Sequence, residues 1–210
     1  MATVNLTRLS SSVALVTGAA SLALVLSACG SDDPDTSAST SSSFDDLFSS
    51  SVTAQSADIC PSAAPQDGGA PEWTLPGSTG SVAVTGSTDA AAPKVEVTAP
   101  FSVTETQVQT LKPGDGPVVS DTASVSVCYM GVNGRDGSVF DSSYEGGAPV
   151  DFPLDGVVPG FQKAIAGQKV GSTVAVAMVP ADGYPQGQPA AGIEPGDTLV
   201  FAIKILDATN

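Results

Sequence analysis

The chain contains no histidine and three cysteines, Cys29, Cys60 and Cys128, among its 210 residues. That excludes Ser-His-Asp and Cys-His nucleophile systems and takes away the usual ligands of a zinc site. No side chain present has an unperturbed pKa near neutrality, so any reaction must proceed without a conventional general base. Tyr129, Phe140, Phe161 and Phe201 lie in or beside strand-like and helix-like runs, where position alone makes them core aromatics. Asp141 before Ser142-Ser143 reads as an Asx-turn residue, and Tyr184 as an aromatic on a loop. Seven basic against 22 acidic residues give a formal charge of −15. Nucleic acid and anionic lipid surfaces, which bind through clusters of Lys and Arg, are therefore not expected partners.

These residues occupy the C-terminal half, and the N-terminal half is organised differently. Residues 1–28 hold Arg8, no acidic residue and an apolar run over 13–26, the pattern of a secretory signal. The run is short for a permanent span, and an uncleaved anchor is the alternative. Leu26-Ser27-Ala28-Cys29 resembles the bacterial lipoprotein box, which implies acylation of Cys29 and attachment to the extracytoplasmic face of a membrane; an ordinary cleavage site beside a chance cysteine is the other reading. Residues 29–71 are rich in Ser, Asp, Ala, Thr, Gly and Pro and read as a flexible tether. Within it, Phe44, Leu47, Phe48 and Val52 follow Ser43 at helical spacing, which predicts a short amphipathic helix over 43–55. In an oxidising compartment Cys60 and Cys128 can form a disulfide, with two free thiols as the alternative; mass before and after reduction and alkylation separates these.

Residues 72–103 contain Trp73 and two short alternating runs, Val82-Ala83-Val84 and Val95-Glu96-Val97, read as strands that extend the domain which follows. Lys112-Pro113-Gly114-Asp115-Gly116 is a strong turn signal. Over 123–130, Val125, Val127 and Tyr129 fall on one strand face and Ser126, Cys128 and Met130 on the other. Asn133-Gly134 and Asp136-Gly137 mark a turn before a run at Val139-Phe140, and a strand is expected over 150–154. Residues 157–167 form the one convincing helix of this half. Pro159 suits a first helical position, Phe161 and Ile165 share a face, and Gly167 suits a left-handed cap. Val174, Val176 and Met178 define the next strand face, and a Gly- and Pro-rich loop over 180–196 leads to a closing strand over 198–206. The fold class is α+β, an antiparallel sheet curled around one short helix.

Pro113-Gly114-Asp115-Gly116, Val127-Cys128-Tyr129-Met130-Gly131, Val139-Phe140-Asp141-Ser142-Ser143, Val157-Val158-Pro159-Gly160-Phe161 and Asp197-Thr198-Leu199-Val200-Phe201 stand in the order and approximate spacing of an FKBP-type peptidyl-prolyl isomerase. The resemblance covers residues 104–210. It implies an FKBP-like half-wrapped antiparallel sheet with an apolar cleft between sheet and helix, and isomerisation of X–Pro bonds in polypeptide substrates. It assigns the cleft to Tyr129, Phe140, Asp141, Val157, Val158, Phe161, Tyr184 and Phe201, with Phe152 and Ile193 as further substrate-binding positions. Val158 is expected to offer its backbone N–H to a substrate carbonyl, and Phe161 replaces the tryptophan that floors the site in many members. No cofactor or metal is implied. The expected protein is a monomeric, lipid-anchored isomerase of exported proteins, or alternatively a non-catalytic lipoprotein that binds proline segments.

Overall fold

The computed structural model describes residues 59–65 and 69–209. The signal segment, the acylation site at Cys29, the helix expected over 43–55 and most of the tether lie outside the described residues.

Among the described residues, nine strands and two short α-helices follow one another. Strands β1 (Trp73–Pro76), β2 (Thr79–Thr85) and β3 (Lys94–Ser102) form one antiparallel sheet. The second sheet contains β4 (Gln107–Lys112), β5 (Ser124–Asn133), β6 (Val139–Ser142), β7 (Val150–Pro153), β8 (Thr173–Met178) and β9 (Leu199–Thr209). Its order is β4-β8-β9-β5-β6, and β7 pairs with the other end of β5. The helices are α1 (Ser143–Gly146) and α2 (Pro159–Ile165).

Strand alternation decides what each face of the large sheet does. Val125, Val127, Tyr129, Val174, Val176, Met178, Leu199, Phe201, Ile203 and Ile205 point inward and pack with Phe161, Ala164 and Ile165 of α2. Cross-strand register aligns Gly131, Phe201 and Val176 in one row, and Tyr129, Ile203 and Val174 in the next. Ala175, Ala177, Val200 and Ala202 point the other way and meet Val82, Val84 and Phe101 of the small sheet. The three alanines keep that face flat enough for two sheets to approach. The strands read at 82–84 and 95–97 therefore do not lengthen the large sheet; with a third strand, β1, they cover its outer face. β1 is hard to see in sequence because Pro71 and Pro76 bracket only two large apolar residues, Trp73 and Leu75.

Helix α2 has seven residues, too few for stability in water on propensity alone. Its N1 proline presets the first turn, and Gly160, Phe161, Ala164 and Ile165 are buried. A Cβ on Gly160 would stand 2.8 Å from Met178 Sδ, so the glycine lets the helix lie hard against β8. The end is closed by Ala166 N–H donating to Gln162 O at 2.9 Å, and Gly167 takes φ +79° while its N–H reaches Val119 O.

Two local expectations are corrected. The strand at 150–154 stops at Pro153, which has no N–H for a ladder; Leu154 instead donates to Ala123 O and opens a 3-10 turn, Leu154–Gly156, with its side chain fully buried. The second helix of this half, α1, was not expected; it is a single turn closed by Gly147 at φ +67°. A disulfide joins Cys60 to Cys128. Cys128 alternates with Tyr129 on β5, so the bridge lies behind the face that Tyr129 serves.

Candidate functional site

A cleft of about 390 Å³ opens between the sheet and the start of α2. β5 supplies Tyr129, β6 supplies Phe140 and Asp141, β7 supplies Phe152 and β9 supplies Phe201. Val157 and Val158 line it on the approach to α2, Phe161 from the first turn of that helix, and Tyr184 from the loop after β8. These are the sequence-expected positions, with Gly156 added. Ile193 is the exception: it is 2 % exposed, belongs to the core, and pairs its backbone with Gln188. It supports the loop from within and is not on the wall of the cleft.

The rings hold one another edge to face. Phe161 meets Phe201 at 5.4 Å between centroids, Phe152 at 5.8 Å and Tyr129 at 5.9 Å, each near perpendicular. Phe140 stands edge-on to Phe201 at 5.5 Å. Such pairs each add about 0.5–1.5 kcal/mol beyond area burial, so the cluster is rigid. Phe161 and Phe201 are nearly buried, whereas Phe140 and Tyr184 are half-exposed at the mouth.

Two polar features interrupt this apolar surface. The Tyr129 hydroxyl donates to Asp141 Oδ2 at 2.6 Å. Burial, and then the bond to the Asp141 carboxylate, raise the Tyr129 phenol well above its ordinary range, so it remains a donor throughout the physiological range. The second is the Val158 N–H. As the residue preceding α2, Val158 gives its carbonyl to Phe161 and Gln162, while its own N–H meets no acceptor among the described residues.

The supports behind the cleft were largely invisible in sequence. Gly131 lies beneath two of its rings: a Cβ there would come within 2.6 Å of Phe140 Cζ and 2.9 Å of Phe201 Cε1. Ser143, the first residue of α1, accepts the Tyr129 N–H at 2.9 Å and lies 3.5 Å from Cys60 Sγ. Asp197, 7 % exposed, fixes the far end of the Tyr184 loop. It accepts from Asn133 Nδ2 at 2.7 Å, from Glu194 N–H at 2.8 Å and from Arg135 Nε at 3.2 Å.

The family model for FKBP-type peptidyl-prolyl cis-trans isomerase matches residues 116–206. A probable FK506-binding protein of Corynebacterium glutamicum is 37 % identical over 98 residues, covering 45 % of this chain and 80 % of that protein. The chain belongs to the FKBP-type isomerase family. The FK506-binding protein of Streptomyces anulatus is likewise 37 % identical, over 77 % of its length. The isomerase FkpA of Escherichia coli is 38 % identical over 100 residues, 47 % of this chain and 36 % of FkpA. The chain spans 39 % of a longer Haemophilus influenzae relative. The crystal structure of Escherichia coli FkpA aligns over 50 % of this chain and 48 % of that one, with a TM-score of 0.45 and 35 % identity. In this FKBP-type domain the matched region includes every residue lining the cleft, but none of β1 to β3.

Proposed function

We propose that the domain catalyses cis-trans isomerisation of X–Pro bonds in exported polypeptides while a lipid on Cys29 holds it, as a monomer, at the extracytoplasmic face of a membrane. The observation that carries the activity is the cleft itself, lined by mutually packed aromatics and by Val158, whose backbone N–H meets no acceptor among the described residues.

The uncatalysed reaction faces a barrier of about 20 kcal/mol because twisting the amide sacrifices its resonance. The planar amide has more charge separation than the twisted one. A dry aromatic cleft disfavours the planar form relative to the twisted form, and the Val158 N–H holds the carbonyl of the residue before proline as the bond turns. Phe161 and Phe201 receive the pyrrolidine ring, and Phe140 and Tyr184 bound the chain on either side. Asp141 fixes the Tyr129 ring through its hydroxyl. No bond to the protein is made or broken. A ten-thousand-fold acceleration requires about 5.5 kcal/mol of differential binding, within reach of a few oriented contacts and desolvation.

The test is isomerisation of a proline peptide by the chain, followed against the uncatalysed rate. Acceleration that falls on Phe140→Ala or Tyr184→Ala supports the reading. Saturable binding without acceleration would leave only a proline-binding module. Anchoring is tested separately: Cys29→Ala should move the protein from the membrane fraction to the soluble one and abolish the acyl mass increment.

A further inference from the structure

The cleft wall that carries Tyr184 is a loop, and one carboxylate joins it to the helix that carries the floor. Asp182 ends the 3-10 turn Pro180–Asp182, two residues before Tyr184. Its Oδ2 accepts from Lys163 Nζ at 2.7 Å and from Thr106 Oγ1 at 2.5 Å. Lys163 belongs to α2, two residues after Phe161, and Thr106 precedes β4 and accepts the Val179 N–H at 3.2 Å. By contrast, the backbone hydrogen bonds of this stretch close on the loop itself: Asp182 N–H to Val179 O, Gly183 N–H to Pro180 O and Gly187 N–H to Tyr184 O. Beside the Val179 N–H bond to Thr106 and the packing of buried Gly183 and the Tyr184 ring, the carboxylate is the side-chain tie from the first half of the loop to α2. The Asp182 side chain is 18 % exposed. The Lys163 and Thr106 donors hold its carboxyl below the usual carboxylate range.

We propose that Asp182 is a positioning residue for the isomerase site, a strap through Lys163 that sets the separation between the Phe161 floor and the Tyr184 wall and thereby the fit of the proline ring. This rests on the isomerase reading. The strap acts on the ground-state and transition-state complexes alike, because it shapes the cleft and does not touch the rotating bond. Its signature is a change in KM with little change in kcat.

The experiment compares full-length wild type with Lys163→Met, Asp182→Asn, the double variant and Lys163→Arg. It measures kcat and KM for a proline peptide, the urea midpoint, and the NMR signals of the Tyr184 ring without peptide. Part-exposed ion pairs are worth up to about 1 kcal/mol, so each single loss should raise KM about two- to fivefold while kcat stays within about twofold. The double variant should be no worse than the weaker single, since both remove one interaction, and Lys163→Arg should restore KM. The Tyr184 signals should move in both singles. Unchanged KM in both singles, or kcat and the urea midpoint falling together at constant KM, would overturn the strap. If the wild type does not accelerate the reaction, the isomerase reading fails by itself, and unmoved Tyr184 signals in the two singles would still refute the strap.

Discussion

Replacing Gly131 with alanine tests whether the cleft depends on a residue that contributes no atoms to its wall. The new methyl carbon would stand 2.6 Å from Phe140 Cζ and 2.9 Å from Phe201 Cε1. Carbon–carbon contacts are comfortable at about 3.5–4.0 Å, so one or both rings must retreat by about 1 Å. Phe201 has nowhere to go, being 5 % exposed and wedged edge-on between Phe140 and Phe161. Phe140 is half-exposed on a strand with no neighbour on its outer side, and it is the ring that swings out. Overpacking of this kind costs about 1–3 kcal/mol of stability. Loss of the Phe140 wall should lower kcat/KM by about tenfold, equivalent to 1.4 kcal/mol. The assays are a urea titration and proline-peptide isomerisation, with Gly146→Ala as control. At Gly146 an added Cβ meets nothing within 4 Å, so both readouts should stay at wild-type values. Wild-type kcat/KM in Gly131→Ala, with an unchanged urea midpoint, would show that the rings are not held against the strand, and the account of the cleft as a rigid aromatic box would be wrong.

Three further outcomes are expected. Cys60→Ser opens a bridge between residues 68 apart in sequence, which the chain-entropy account values at about 4 kcal/mol, so the urea midpoint should fall well below that of the oxidised wild type; equal midpoints would contradict it. A chain beginning at Thr104 exposes Ala175, Ala177, Val200 and Ala202 and should be insoluble or unfold without cooperativity, whereas a soluble fragment with the wild-type midpoint would make β1 to β3 an independent appendage. The Tyr144 phenol, ordinarily near 10, is pushed up to about 12 by burial, with Ser87 pulling slightly the other way. The folded state therefore keeps a proton that the unfolded chain loses. That stabilisation is complete below pH 10 and drains as pH rises toward 12, so Tyr144→Phe should show a shallower alkaline loss of stability; superimposable curves would refute it.

What could be read in the sequence follows the range over which each signal acts. Alternation in β5 and β8 is a local property imposed by the pleat, and it assigned Tyr129, Val174, Val176 and Met178 to the correct face. The first turn of α2 was legible through Pro159 and the spacing of Phe161 and Ile165. The assembly of the cleft was legible only because five short motifs stood in register; each aromatic taken alone was equally well a core residue, and Phe161 and Phe201 are indeed both core and cleft. Ile193, expected at the cleft, lies buried in the core beside Tyr129, Phe161 and Phe201 and outside the cleft lining, and sequence cannot tell whether a loop aliphatic points into a site or into the core beneath it. Gly131 and Gly160 stand in the quoted motifs, but their packing role is not legible there, because it is to leave room and room is a property of their neighbours. The side-chain roles of Asp182 and Asp197 were hidden for another reason, since the side chains they bind lie 19 to 76 residues away in the chain.

The bridge at Cys128 has a geometric consequence for how the domain meets other molecules. Tyr129 faces the cleft and Cys128 the reverse side of the same strand, so the crosslink seats Cys60 on the side of β5 away from the cleft. The mouth formed by Phe140 and Tyr184 is therefore left clear of the crosslink itself.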